Sequence, residues 1–149
     1  MYQKDYILRM IEMVAEFIAA ILGLIKKGQL EQASQTLDHA YLDFLKTDAS
    51  LFREIPKEGL TETLLRDHNY TNGHLKILSE LFFAEAELQL AQENNEDSLA
   101  YYEKSLILFK FVEKESKSFS FDKQSRLSFI EERISHLKNA ASWQGANSV

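Results

Sequence analysis

A single proline, Pro56, stands in a chain of 149 residues that holds only five glycines. So few breakers leave long uninterrupted segments, and these favour long helices over many short strands. The hydrophobic pattern agrees. Ile7, Met10, Ile11, Val14, Phe17, Ile18, Ile21 and Ile25 recur close to every ~3.6 positions, and no segment of useful length alternates with a period of two. The length suits one domain able to bury roughly 68–70% of the surface its unfolded chain exposes. The expected domain covers residues 1–141, with 142–149, including Trp143, as a flexible tail.

Start and stop signals divide the chain into five long helices and some short ones. The first is expected to begin at Asp5, a residue type that caps helix N-termini, and to end at Lys26-Lys27 before Gly28. A second spans about Leu30–Lys46 with Leu30, Ala33, Leu37, Ala40, Tyr41 and Phe44 as its apolar stripe. The link at Gly28-Gln29 is so short that the two must pack antiparallel. Residues 47–71 are less regular: Asp48 caps a short helix that Pro56 ends, and Leu60–Arg66 forms another. A long helix from about His74 to Glu93 stops at Asn94-Asn95, and Asp97 is expected to cap the next. Lys117–Phe121 reads as a connection, followed by a last helix carrying Leu127, Ile130, Ile134, Leu137 and Ala141.

Charge and composition remove several function classes. Residues 1–102 hold 9 Lys/Arg against 17 Asp/Glu, a net of −8, while 103–149 hold 8 against 6, a net of +2. An acidic larger part argues against nucleic-acid binding, which needs clustered cations. Without cysteine there is no disulfide, thiolate metal site or thiol nucleophile. The apolar run Phe17–Ile25 is nine residues long, far short of the ~20 that span a bilayer, and acids rather than bases precede it. The expectation is a cytoplasmic chain that binds neither nucleic acid nor membrane.

Two helix pairs share one spacing. Phe17, Ala20 and Leu24 are separated by three and then four residues, and Ala33, Leu37 and Ala40 by four and then three. Phe83, Ala86 and Leu90 repeat the first spacing; Ser98, Tyr102 and Ser105 repeat the second, with one residue fewer between the two triplets. Asn94 stands where Gly28 stood, and both residue types tolerate a positive φ. Small residues at 33, 40, 98 and 105 would let paired helices approach closely, with Leu37 and Tyr102 filling the groove.

This pattern resembles the tetratricopeptide repeat, most closely in Glu96-Asp-Ser-Leu-Ala-Tyr-Tyr-Glu-Lys-Ser-Leu-Ile-Leu108 and next in Gly28-Gln-Leu-Glu-Gln-Ala33 with Leu37 and Ala40. The resemblance covers roughly 14–46 and 80–113, on a repeat of ~34 residues. It implies an all-α fold of antiparallel hairpins stacked as a right-handed array with a concave binding face. The repeats are not contiguous, and the proline that closes a repeat is missing. The start, Lys4-Asp-Tyr-Ile-Leu-Arg-Met-Ile-Glu12, is also similar to an uncharacterised bacterial family of short repeat-like helical proteins, which implies the same fold and supplies no activity. Tetratricopeptide proteins that grip a C-terminal carboxylate do so with Lys and Asn; the matching positions here are Ile18 and Leu22, which cannot hold one.

Catalytic and metal chemistry find little support. His39 with Asp43, and Glu132 with His136, lie one helical turn apart, but neither pair has a third ligand at matched spacing. Solvated i,i+4 pairs account for them. His68 and His74 flank a turn, and Glu12 with Glu16 read as a polar helix edge. There is no Gly-x-Ser-x-Gly, phosphate loop or His-Glu-x-x-His. The expectation is therefore no enzyme, no cofactor and no metal.

What exceeds a plain core is apolar surface on two helices: Leu22, Leu24 and Ile25 on the first, and Leu106–Phe109 with Phe111 and Val112 on the sixth segment. Internal burial in a layered array, a homodimer interface and a groove for a foreign helix or peptide are its three uses. The leading functional reading is a non-enzymatic interaction or scaffold module that captures an unknown protein or peptide through Phe17, Ile18, Leu22, Phe83 and Phe111. The alternatives are a structural homodimer using helix one or the 105–112 face, and a small-ligand binder with a pocket between hairpins.

Overall fold

The structure, a computed structural model, describes residues 2–116 and 121–146, with side chains over 6–115 and 124–141. Among the described residues every regular element is helical: α1 (Tyr2–Lys26), α2 (Leu30–Leu45), α3 (Ala49–Glu54), α4 (Leu60–Arg66), α5 (Asn72–Ala91), α6 (Asn95–Ser116) and α7 (Phe121–Ala146). α1 starts ahead of Asp5, and α7 runs on through Ala146, past the expected onset of the tail at Ser142. Residues 117–120, most of the expected connection, lie outside the described residues.

Local chemistry explains the breaks. Asp48 Oδ1 accepts from the Ser50 backbone N–H at 2.9 Å and from its hydroxyl at 2.7 Å, which starts α3. Ile55 is extended, as a residue before proline must be, and α3 stops there. Gly59 at φ 72° opens α4, and Lys46 at φ 55° closes α2.

α1 packs on α2 and α5, α5 on α2 and α6, and α6 on α7. The two long hairpins are therefore neighbours in space, although α3 and α4 separate them in sequence. That intervening segment lies against α2 and α6 and contributes Phe52, Leu60 and Leu64 to the core. Lys57 ties it to Glu103 on α6 at 2.6 Å. α5 is central, and Leu81–Ala86 is buried without interruption because neighbours cover it on several sides. Leu108, Phe109 and Val112 of α6 are buried as well, and Leu106 and Phe111 pack against the core, so the surplus apolar surface of α6 is mostly internal.

The turns of the two hairpins superpose in chemistry. In the first, Gly28 N–H donates to Ile25 O and Gln29 N–H to Leu24 O, and Ala33 N–H to Gln29 O. In the second, Glu93 N–H donates to Leu90 O, Asn94 N–H to Gln89 O, and Ser98 N–H to Asn94 O. The residue at positive φ is thus Glu93 (φ 65°), not Asn94, and the counterpart of Gly28 (φ 79°) lies one residue earlier than expected. Helix α6 opens at Asn95, so Asp97 lies in its first turn rather than at its cap. One constant separation of 65 positions then matches both helices of each pair, with no gap. That separation pairs Ile18, rather than Phe17, with Phe83. Met10 and Leu75, Val14 and Ser79, and Ile21 and Ala86 also correspond, and all are buried.

The small residues do what their size allows. Ala33, Ala40, Ser98 and Ser105 are fully buried between paired helices, with Leu37 and Tyr102 beside them. In the second pair the contacts are also polar: Ser98 Oγ donates to Ala86 O and Ser105 Oγ to Ser79 O, each at 2.8 Å. The first pair has Ile21 and Val14 at those two acceptor positions, facing alanines instead of serines.

Candidate functional site

A groove of about 420 Å³ opens between the first half of α1 and the end of α2. Its floor is Phe17 against Phe44, edge to face with ring centroids 5.2 Å apart, together with Met10. Tyr6 and Met13 form its walls and are 58% and 47% exposed. Arg9, Asp43 and Lys46 stand around the rim, all exposed. The large apolar side chains left most open to solvent among the described residues are Tyr6, Leu8 and Met13 on α1, Leu42 on α2 and Leu51 on α3. Two of these five, Tyr6 and Met13, line the groove. Isolated exposed leucines are ordinary; a tyrosine and a methionine exposed together over a concave aromatic floor are not.

Tyr6 also lines a second cavity of about 350 Å³, with Ile7, Asn69, Thr71 and His74. Here α1 meets the start of α5 at very close range: a Cβ on Gly73 would lie 2.2 Å from Ile7 Cγ2. Thr71 caps α5, and its N–H donates to His74 Nδ1 at 3.1 Å. Burial holds the His74 pKa below the ordinary histidine value, consistent with a neutral ring that accepts at Nδ1.

An ionic cluster centred on one buried carboxylate joins α2, α3 and α5. Arg53 from α3 donates through Nε to Glu85 Oε1 at 2.7 Å and through NH2 to Asp38 Oδ1 at 2.6 Å. Glu85 is 1% exposed, and desolvation raises its pKa while the Arg53 guanidinium pulls it back. Desolvation and the nearby Glu85 charge push Tyr41 up, and they push Tyr101 to about 12. Lys104 donates to the Arg53 carbonyl at 3.3 Å and packs over Phe82 and Tyr101, and desolvation lowers its pKa. The arrangement satisfies charges that the central position of α5 forces inside. It fastens α3 to α5 and α6.

The residues proposed as partner anchors separate into two groups. Ile18 and Phe83 are core residues, 2% and 3% exposed. Phe83 is closed over by Tyr102, by Phe129 at 5.9 Å and by the Arg126 guanidinium at 4.0 Å. Phe17, Leu22 and Phe111 are partly buried against the core, and Phe17 alone of the five lines the groove. His39, Asp43, Glu132 and His136 are exposed or half-buried, and among the described residues no group of three His, Asp or Glu side chains could hold a metal ion. A shallow cleft of about 320 Å³ runs past Phe129, Glu132, Arg133 and His136 on α7.

Compared with known proteins, the chain matches along most of its length the model of a family of unknown function, DUF6483, over residues 1–138. It belongs to that family. The DUF6483 match spans α1 through α6 and most of α7, so the groove, the Gly73 contact and the ionic cluster all lie within the family's extent. No curated protein and no solved structure matches this DUF6483 member. No helix among the described residues is long and apolar enough to cross a membrane.

Periodicity alone does not single out Tyr6 and Met13, because it marks the residues that face the core. The available signal was their position off the stripe: both are large and apolar on the face where α1 carries Arg9 and Glu16. For the ionic cluster the signal was Glu85 itself, a charge set between Ala84 and Ala86 in a helix that is apolar on nearly every side.

Proposed function

We propose that this chain is a non-enzymatic interaction module, built as a tetratricopeptide-like stack of helix hairpins, that binds a protein surface through the α1/α2 groove. The matched turns of the two hairpins, and the packing of α5 against both helices of the first pair, support the stacked arrangement. The observation that carries the binding role is the concentration of exposed Tyr6 and Met13 over the Phe17–Phe44 floor. Methionines adapt their shape to a partner, and an aromatic floor supplies large contact area. Of the five expected anchors Phe17 lines the groove, while Ile18 and Phe83 belong to the core.

The test is Met13→Asp, compared with the wild-type chain by cross-linking and affinity capture. Because Met13 is exposed, helical circular dichroism stays unchanged while capture of the specific partner is lost. Ile18→Asp serves as the contrast, since a charge at that core position unfolds the chain. An identical set of captured proteins for wild type and Met13→Asp would overturn the proposal.

A further inference from the structure

We infer that the occupant of the α1/α2 groove is the same groove on a second copy of the chain, in a twofold dimer; this rests on the groove being an interaction surface. A twofold interface must be complementary to itself, because each residue pair across it occurs twice. The patch has both halves of such a contact. Tyr6 is a knob on the rim, standing between two cavities, and the space over Phe17 and Phe44 is a hole.

The rim carries both signs of charge. Arg9 and Lys46 are cations on the groove, Asp43 is an anion on it, and Glu16 is a second exposed anion next to Phe17. Among the described residues none of the four is held in an ion pair, whereas Arg53, Lys57 and Arg126 are. A partner of strongly one-signed surface would call for a rim of the opposite sign. A rim with both signs instead suits a surface that meets its own image, with Arg9 facing Asp43 of the partner subunit and the reverse contact formed at the same time. The exposed Tyr6 and Met13 side chains would be covered together.

The experiment is light scattering over a concentration series on the wild-type chain, Arg9→Glu, Asp43→Arg and an equimolar mixture of the two variants. Wild type is expected to show a concentration-dependent dimer. Each single variant places like charges opposite each other twice per dimer, and weakens self-association by about tenfold or more. The mixture restores it, because one Arg9→Glu copy and one Asp43→Arg copy together form two opposite-charge pairs. Both substitutions are at exposed positions, and unchanged circular dichroism confirms the fold. A wild type that stays monomeric at every concentration overturns the dimer, while loss of partner capture by Met13→Asp would still uphold the groove as an interaction surface. Single variants that dimerise like wild type, or a mixture that remains monomeric, also overturn it.

Discussion

The Arg53 guanidinium of α3 meets the Glu85 carboxylate of α5 at 2.7 Å, and only 1% of Glu85 reaches solvent. Asp38 takes the other side of the same guanidinium from α2, but it is half exposed and contributes little. The weight of the contact therefore rests on Glu85, a carboxylate at the centre of the fold whose other nearby cation, Lys104, donates to the Arg53 carbonyl instead. Such pairs add little over a well-packed apolar pair, yet losing one partner is costly.

Arg53→Leu is expected to destabilise the chain by about 3–5 kcal/mol at pH 7, measured by urea unfolding. The sign with pH is the distinguishing part. Burial already raises Glu85 above its ordinary 4.5, and Arg53 holds that rise down. Without Arg53 the folded chain keeps a proton on Glu85 to higher pH than the unfolded chain does. Stability of the variant thus increases as pH falls through that raised value toward 4.5, so its deficit is smaller at pH 5 than at pH 7. The double variant Arg53→Leu with Glu85→Leu recovers most of the loss. An equal deficit at both pH values would count against a buried, ionised Glu85.

Gly73→Ala is a case where helix propensity and packing oppose each other. Alanine favours a helix interior over glycine by roughly 1 kcal/mol, an upper bound for Gly73 in the first turn of α5. Against this, the new methyl would lie 2.2 Å from Ile7 Cγ2, on a branched carbon that cannot swing away at low cost. Overpacking of this kind costs about 1–3 kcal/mol, so the net effect is destabilising. Adding Ile7→Ala removes the obstruction, and in that background Gly73→Ala becomes neutral or stabilising. A double-mutant cycle by thermal unfolding reads this coupling directly.

The boundaries of α3 and α4 were legible because Asp48, Pro56 and the apolar run at Leu60 act locally. The likeness of the two interhelical turns was legible too, but only to within one residue. Phe17, Ala20 and Leu24 match Phe83, Ala86 and Leu90 in type, whereas backbone hydrogen bonds and burial match Ile18 with Phe83. On helices apolar over most of their circumference, a shift of one residue leaves residue types nearly unchanged. Only the turn, where Glu93 rather than Asn94 takes the positive φ, separates the two registers. The groove was hidden for a different reason: whether Met13 is covered depends on where α2 and α5 dock against α1, which no local pattern encodes. The Arg53–Glu85 contact joins residues 32 apart in sequence and was equally out of reach.

His74 makes the start of α5 sensitive to acid. Thr71-Asn-Gly-His74 places histidine where a capping box has Glu or Gln, and its Nδ1 accepts from the Thr71 N–H. Burial lowers the His74 pKa from 6.5, so the unfolded chain binds the proton first as pH falls. Stability is therefore lost on acidification through 6.5 toward the depressed folded value, by about 0.5–1.5 kcal/mol for this one hydrogen bond. Amide protection factors at the first turn of α5, corrected for the intrinsic pH dependence of exchange, should fall between pH 7 and pH 5. His74→Gln keeps the acceptor and abolishes that dependence; a pH response unaltered by His74→Gln would assign it elsewhere.

The second turn offers a stabilising change and a control for the repeat register. Glu93 holds φ 65° with a full side chain, a conformation that costs an L-residue roughly 1–2 kcal/mol. Glycine there escapes the strain but has more freedom to lose on folding, about 0.5–1 kcal/mol. The balance for Glu93→Gly is a gain of about 0.5–1 kcal/mol, visible as a raised Tm. Asn94→Gly is the control, because Asn94 is not among the positive-φ residues and its side chain donates to Gln89 Oε1 at 2.8 Å. Glycine at 94 gives up that contact and gains no relief, so it lowers the Tm. If the two substitutions changed places in their effects, the hairpins would correspond through Asn94 and Gly28 instead, and the constant separation of 65 positions would fail.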